Sequence, residues 1–176
     1  MNLYQIGFIS ALSLFSYGLE AHAETSTQEL GAIAKILSLS KDIPSGDASF
    51  AVVYDPASSA SMAELNTLKG LMGASYKAPK HNLIIKEVPI DSISSISAPI
   101  LFMTEGLSAS AQQQTLDKGI ASKSLTVTTS LNYVESGKCV LGVDVGSGVK
   151  IIMNSASFNA SKLNFDSAFK FMIKEI

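Results

Sequence analysis

The stretch that most constrains the fold of this chain is the run from Gly137 to Asn154, in which two β-branched, apolar-rich segments flank the turn Gly146-Ser147-Gly148. Glycines supply the positive φ angles that tight hairpin connections need, so the run reads as a β-hairpin whose register the turn helps to fix. It contains no acid, base or nucleophile in a recognisable arrangement, and as residues alone it speaks to scaffold rather than chemistry.

Upstream, helix-like and strand-like segments alternate. Leu30, Ile33, Ala34, Ile36, Leu37 and Leu39 mark a short helix with a broad apolar face, ended by Pro44-Ser45-Gly46-Asp47. Residues 49–54 read as a buried strand. The loop 55–60 leads into a second helix, where Ser61 and Glu64 have capping-box spacing and Met62, Leu65, Leu68, Leu71 and Met72 supply the core face. Residues 82–89, 100–103 and 125–128 follow as strands. Between the last two, 108–120 is a surface helix with good helix formers in Gln112, Gln113 and Gln114 but few large apolar residues. After the hairpin, 154–162 is a helical or turn segment. Asp166 is placed to cap a final helix carrying Phe169, Met172, Ile173 and Ile176 at helical spacing, with Lys170 and Lys174 near its negative end. The expected fold is a single α/β domain: a mainly parallel sheet with helices on both faces, and a C-terminal antiparallel hairpin followed by a helix.

Length and charge narrow the function. A chain of 176 residues with 47% hydrophobic content suits one domain with one core. The formal net charge is -2, which sets up no broad field for nucleic acid or an anionic membrane. All thirteen cations are lysines. Without arginine the chain lacks the planar fork that grips phosphates and guanine edges at two points, so nucleic-acid binding is set aside.

The N-terminus reads as an export signal. The apolar stretch from Ile6 to Leu19 is short for a bilayer span, and Ala21-His22-Ala23 offers small residues where a signal peptidase cuts. Cleavage before Glu24 is expected, leaving 24–176 as a periplasmic domain with no membrane span; the competing reading is an uncleaved anchor, because no lysine or arginine precedes the apolar run. In an oxidising compartment the single Cys139 has no internal partner, so it is buried, bridged to another chain or reactive, and its apolar surroundings favour burial. The histidine left after cleavage, His81, lies in the turn-like Pro79-Lys80-His81-Asn82 and is expected to be solvated.

A search for chemistry finds no glycine-rich phosphate loop, no Walker sequence and no metal-ligand spacing, so no catalytic residue, metal or cofactor is assigned. Topology suggests one ligand site. In open α/β sheets ligands sit beyond the carboxyl ends of the strands, which here gathers Ser58, Ser59, Thr104, Glu105, Thr128 and Thr129 around a small polar solute. The plainer reading of the same hydroxyls is that they cap helices and form turns.

In the C-terminal part, Ser136-Gly137, Leu141-Gly142-Val143 and Val149-Lys150-Ile151-Ile152-Met153-Asn154, with Ala156 and then 163–172, follow one another in an order that resembles the YfiR/HmsC-like family of periplasmic proteins. The resemblance runs over roughly forty positions. It implies an α/β domain that acts by protein contact, with an envelope or inner-membrane partner such as the periplasmic part of a diguanylate cyclase, and so a link to cyclic di-GMP and biofilm formation. Self-association is compatible with it. The chain departs from the family in having Ile43-Pro44 where an aromatic-proline step is usual, Asp166 where serine is usual, and no cysteine pair. Control by an internal disulfide is therefore not carried over. Two functions stand side by side: a non-enzymatic regulator working through protein contact, and a periplasmic solute-binding module.

Overall fold

Short, fully apolar strands surrounded by helix-forming sequence can be buried only by stacking into a sheet covered on both faces, and the computed structural model, which describes residues 25–176, has this architecture. Helix α1 (Thr27–Leu37) precedes strand β1 (Gly46–Tyr54), then come α2 (Ser59–Met72), β2 (Tyr76–Lys77) and β3 (His81–Pro89). A 3-10 turn over Ile90–Ser95 leads to β4 (Ile100–Met103), α3 (Ala109–Ser122), β5 (Leu125–Thr128) and α4 (Leu131–Glu135). The hairpin β6 (Leu141–Asp144) and β7 (Lys150–Met153), α5 (Ser155–Ser161), a 3-10 turn over Ser167–Phe171 and β8 (Lys174–Glu175) complete the chain.

The eight strands form one sheet in the order β2-β3-β1-β4-β5-β6-β7-β8. Every pairing from β3 across to β6 is parallel, as is β7 with β8; β2 with β3 and β6 with β7 are antiparallel. The expected mixed sheet and C-terminal hairpin are therefore present. Alternate side chains of the central strand divide between the two layers: Phe50 and Val52 pack with α1 and α2, whereas Ala51 and Val53 pack with Ile93, Ala111 and Tyr133 on the opposite face.

Three local expectations are corrected. The last segment is not a helix: a 3-10 turn ends at Phe171, and Lys174–Glu175 add a strand beside β7. Ten residues at a chain end are too few to hold a helix by propensity, while the open edge of β7 offers backbone bonds, with Ile176 N–H donating to Met153 O at 3.0 Å and Ser155 N–H to Ile176 O at 3.0 Å. His81 is not a solvated loop residue but the first residue of β3, 3% exposed, its two ring nitrogens 3.1 Å from Pro44 O and 3.2 Å from Leu37 O. Packing of the β1–β3 register beneath the end of α1 overrides the turn signal of Pro79. The capping box assigned to Ser61 and Glu64 is also absent: α2 is capped by Ser58, whose Oγ accepts from Ser61 N–H at 3.3 Å. The readings of residues 1–23 as a leader, and of His22 within its cleavage site, lie outside the described residues.

Candidate functional site at the strand carboxyl ends

Parallel strands deliver their following loops to one edge of the sheet. The chain leaves β1 toward β3 on one side and later fills β4, β5 and β6 on the other, so the connections diverge between β1 and β4. A crevice at such a switch point is where open α/β sheets bind ligands. Here the loop 55–58 and the first turn of α2 face the loop 104–107 that follows β4.

Glycine 106 makes that approach close. It has φ +76, and a Cβ there would stand 2.4 Å from Ser58 Oγ and 3.3 Å from Ser61 N, so both backbone conformation and space exclude a side chain. Beneath it runs a chain of hydroxyls. Asp55 N–H donates to Ser61 Oγ at 2.8 Å, Ser61 Oγ lies 2.6 Å from Thr104 Oγ1, and Thr104 Oγ1 donates to Val53 O at 3.0 Å. Because the Thr104 proton is used on Val53, the Ser61 hydroxyl donates to Thr104. The end of β1, the first turn of α2 and the end of β4 are thereby joined by side chains that are 0% exposed at both Ser61 and Thr104.

Glu64 is the centre of the arrangement. It lies on the buried stripe of α2 with Ser61, Leu65, Leu68 and Met72, and is 2% exposed. Its Oε1 accepts from Thr25 Oγ1 at 2.5 Å and from Thr129 Oγ1 at 2.6 Å, and its Oε2 accepts the Glu105 N–H at 2.5 Å. One carboxyl group thus ties together the segment before α1, the loop after β4 and the loop after β5. Burial pushes its pKa up, opposed by the three donors, which favour the charged form, with the nearby Glu105 charge adding to the rise. Tyr133 closes the far side: its hydroxyl accepts the Leu107 N–H at 3.0 Å, and burial raises the phenol to about 12.

All six residues expected at this edge are there, in different roles. Thr104 and Thr128 are fully buried, and Thr128 Oγ1 donates to Met103 O at 2.9 Å, so both work within the scaffold. Ser58 caps α2, Glu105 and Thr129 are half-buried, and Ser59 is exposed. Sequence reasoning assigned Ser61 and Glu64 to a cap and overlooked Thr25, Gly106 and Tyr133. For Glu64 a signal was present: a carboxylate four residues before Leu68 and eight before Met72 shares the apolar face, where a charge needs partners.

The remaining chemical expectations concern Cys139 and metals. Cys139 is 0% exposed, as its sequence context suggested, with Sγ 3.5 Å from Leu141 O and burial raising the thiol to about 12. Among the described residues no group of three or more His, Cys, Asp or Glu side chains is clustered for a metal, and no helix is long and apolar enough to cross a membrane.

No family model and no curated protein matches the chain. Among solved structures it is similar to a conserved domain protein from Vibrio cholerae, with 16% identity and a TM-score of 0.60 over 87% of this chain and 61% of that one. It is also similar to the ligand-free, open structure of a substrate binding protein with adhesive properties from Clostridium difficile, with 14% identity and a TM-score of 0.57 over 73% of this chain and 54% of that one. The chain spans a little over half the length of these structures, and at such identities the likeness is one of fold: a mixed α/β domain of this topology occurs in both.

Proposed function

We propose that this chain is a non-catalytic binding domain, exported to the periplasm, that holds a small polar solute against the carboxyl ends of β1, β4 and β5. The observation that carries the reading is the three-way bonding of Glu64, which fixes the strand-end loops in one relation at the switch point of the sheet. Ser59 is exposed and Glu105 and Thr129 are half-buried beside that frame, and their hydroxyl and carboxylate oxygens suit a ligand rich in hydrogen-bond donors. One structural neighbour, a substrate binding protein, is compatible with this use of the fold. A non-catalytic role is supported by the state of the two side chains most suited to nucleophilic or general-base work: Cys139 is buried with a raised pKa, and His81 has both ring nitrogens against backbone carbonyls.

A thermal-shift screen of the purified protein against sugars, polyols, amino acids and organic acids tests this. The expected result is a saturable rise in Tm for one compound class, weakened about tenfold in affinity when Ser59→Ala and Glu105→Gln are combined. A flat response across the panel would count against it.

The second reading, restraint of an envelope partner such as a diguanylate cyclase by protein contact, is favoured by a separate observation, the 91% exposure of the Phe171 side chain. Pull-down from solubilised membranes with the wild-type chain and with Phe171→Ala distinguishes it, the expected outcome being a partner lost on substitution.

A further inference from the structure

At the amino-terminal ends of β4 and β5, the edge of the sheet opposite the solute site, three segments far apart in sequence surround a polar cavity of about 370 Å³. Asp42 comes from the loop after α1, Ser97 from the turn before β4, and Ser122, Lys123 and Ser124 from the end of α3 and the turn into β5. Small-molecule sites run from roughly 300 to 1,000 Å³, so a compact solute fits.

The cavity holds one charge of each sign, and the two do not pair with each other. Lys123 follows the last residue of α3 with φ 52 and ψ 42, a position that glycine usually takes because a Cβ is strained there. A lysine kept against that strain points to a use for its side chain. Its ammonium has no hydrogen-bond or ion-pair partner among the described residues. The Asp42 carboxylate accepts the Asn164 N–H at 2.5 Å and the Asn164 side-chain amide at 3.4 Å, which ties it to the loop 162–166. Since a carboxylate accepts about four hydrogen bonds, lone pairs remain for a ligand.

Proton bookkeeping divides the hydroxyls in the same way. Ser124 Oγ lies 2.6 Å from Ala98 O, Ser122 Oγ lies 2.7 Å from Lys118 O, and the two hydroxyls are 2.8 Å apart. Two protons serve three contacts, so neither serine has one left to offer a ligand, and the pair can only accept. The Ser97 hydroxyl, exposed and without a protein partner among the described residues, can donate. Acceptors are thus supplied by Asp42 and Ser122, and donors by Lys123 and Ser97.

We propose that this cavity binds a small zwitterion, its ammonium held by Asp42 and Ser122 Oγ and its carboxylate by Lys123 and Ser97. Both charges of the site are open to water and screened, so the dissociation constant falls in roughly the millimolar range. The site shares no residue with the strand-end crevice and is independent of it.

Amide NMR titrations test this with glycine, β-alanine and 4-aminobutyrate, whose charges stand progressively further apart, and with acetate and methylammonium as the separate halves, all at constant ionic strength. The expected result is saturable shifts at Asp42, Ser97 and residues 122–124 for at least one of the three zwitterions, with each half binding about tenfold more weakly or less tightly still. Lys123→Gly is the decisive variant. Glycine suits a φ of 52, so Tm is expected to stay level or rise while zwitterion affinity drops about tenfold or more. Asp42→Asn keeps an acceptor for the Asn164 N–H and is expected to weaken the zwitterion but not acetate. The proposal is overturned if those amides show no saturable shift up to about 100 mM, or if binding survives Lys123→Gly. Acetate binding as tightly as the best zwitterion would reduce the site to a lone lysine contact and overturn it too. Shifts confined to residues 55–61 and 104–107 would place the zwitterion in the strand-end crevice, which also overturns the assignment to this cavity.

Discussion

At the scale of single residues, Glu64 shows two large effects in opposition. Removing a carboxylate from water favours the protonated form, while Thr25, Thr129 and the Glu105 N–H all donate to it and favour the charged one; burial is the larger, and the pKa rises above the ordinary 4.5. A raised pKa means the folded state holds the proton longer than the unfolded chain. The stability contributed by Glu64 is then fully present below about pH 4.5 and is lost as pH rises through the folded pKa. Replacement by Gln removes that titration, so urea melts at stepped pH are expected to show the wild-type advantage over Glu64→Gln greatest in acid and shrinking toward neutrality. An advantage that grew with pH would mean that the donors outweigh burial. Glu64→Ala also strands three donors and is expected to cost about 3 kcal/mol in acid in the same assay, a loss that shrinks with rising pH because the same titration is removed. Gly106 is as sensitive for a steric reason. Its φ of +76 strains any side chain, and a Cβ there must displace the Ser58 hydroxyl that caps α2, so Gly106→Ala costs both backbone strain and the cap. A loss of about 2–3 kcal/mol is expected, with amide chemical-shift changes concentrated in residues 55–62 and 104–107. Changes spread evenly over the sheet would contradict this account.

Among the elements, the C-terminal segment invites the clearest test. If β8 exists because β7 needs a neighbour, then ending the chain after Ile173 removes the acceptor of the Ser155 N–H. Hydrogen exchange at Ser155 is expected to rise about tenfold or more in the truncated chain while amides of β1 and β4 keep their protection. Unchanged exchange would show that α5 alone holds that amide. The same segment shows which parts of the fold could be read from residues. Strands β4 and β5 are visible as Ile100–Met103 and Leu125–Thr128 because four consecutive apolar or β-branched residues buried on both faces leave no other solution. The hairpin is visible because Gly146 and Gly148 flank its turn. The final helix misled because Phe169, Met172 and Ile173 at helical spacing describe a buried side but not which backbone partner wins. His81 misled for the same reason: Pro79 is a local turn signal, whereas the bonds that hold the imidazole come from Pro44 and Leu37, more than thirty-five positions away. At the carboxyl ends of the strands, the clustering of hydroxyls was predictable from topology. Glu64 as their hub was not, because capping-box spacing and a buried stripe look alike until Ser58 is seen to be the cap.

On the scale of the whole molecule, Cys139 stands where the chain alternates between the two layers that cover the sheet. It precedes β6 and is packed with the layer that holds Ala51, Val53, Leu101 and Tyr133, while the adjoining Val140 belongs to the opposite layer. The thiol is 0% exposed, and burial raises it to about 12, so in the native state it is neither accessible nor ionised near neutrality. As the sole cysteine of the chain it can report how the domain opens. If the two layers unfold as a unit, labelling by a thiol reagent requires global unfolding. Its rate should then rise with urea along the same slope as the equilibrium melt, and Glu64→Ala, on the other face and far along the chain, should accelerate labelling by the full factor its destabilisation at the labelling pH predicts, roughly a hundredfold where that is about 3 kcal/mol. A labelling rate independent of urea at low concentration would mean that the β6–β7 hairpin opens locally. In that case the accelerating effect of Glu64→Ala should vanish as well, because a local opening does not pass through the region that Glu64 ties together.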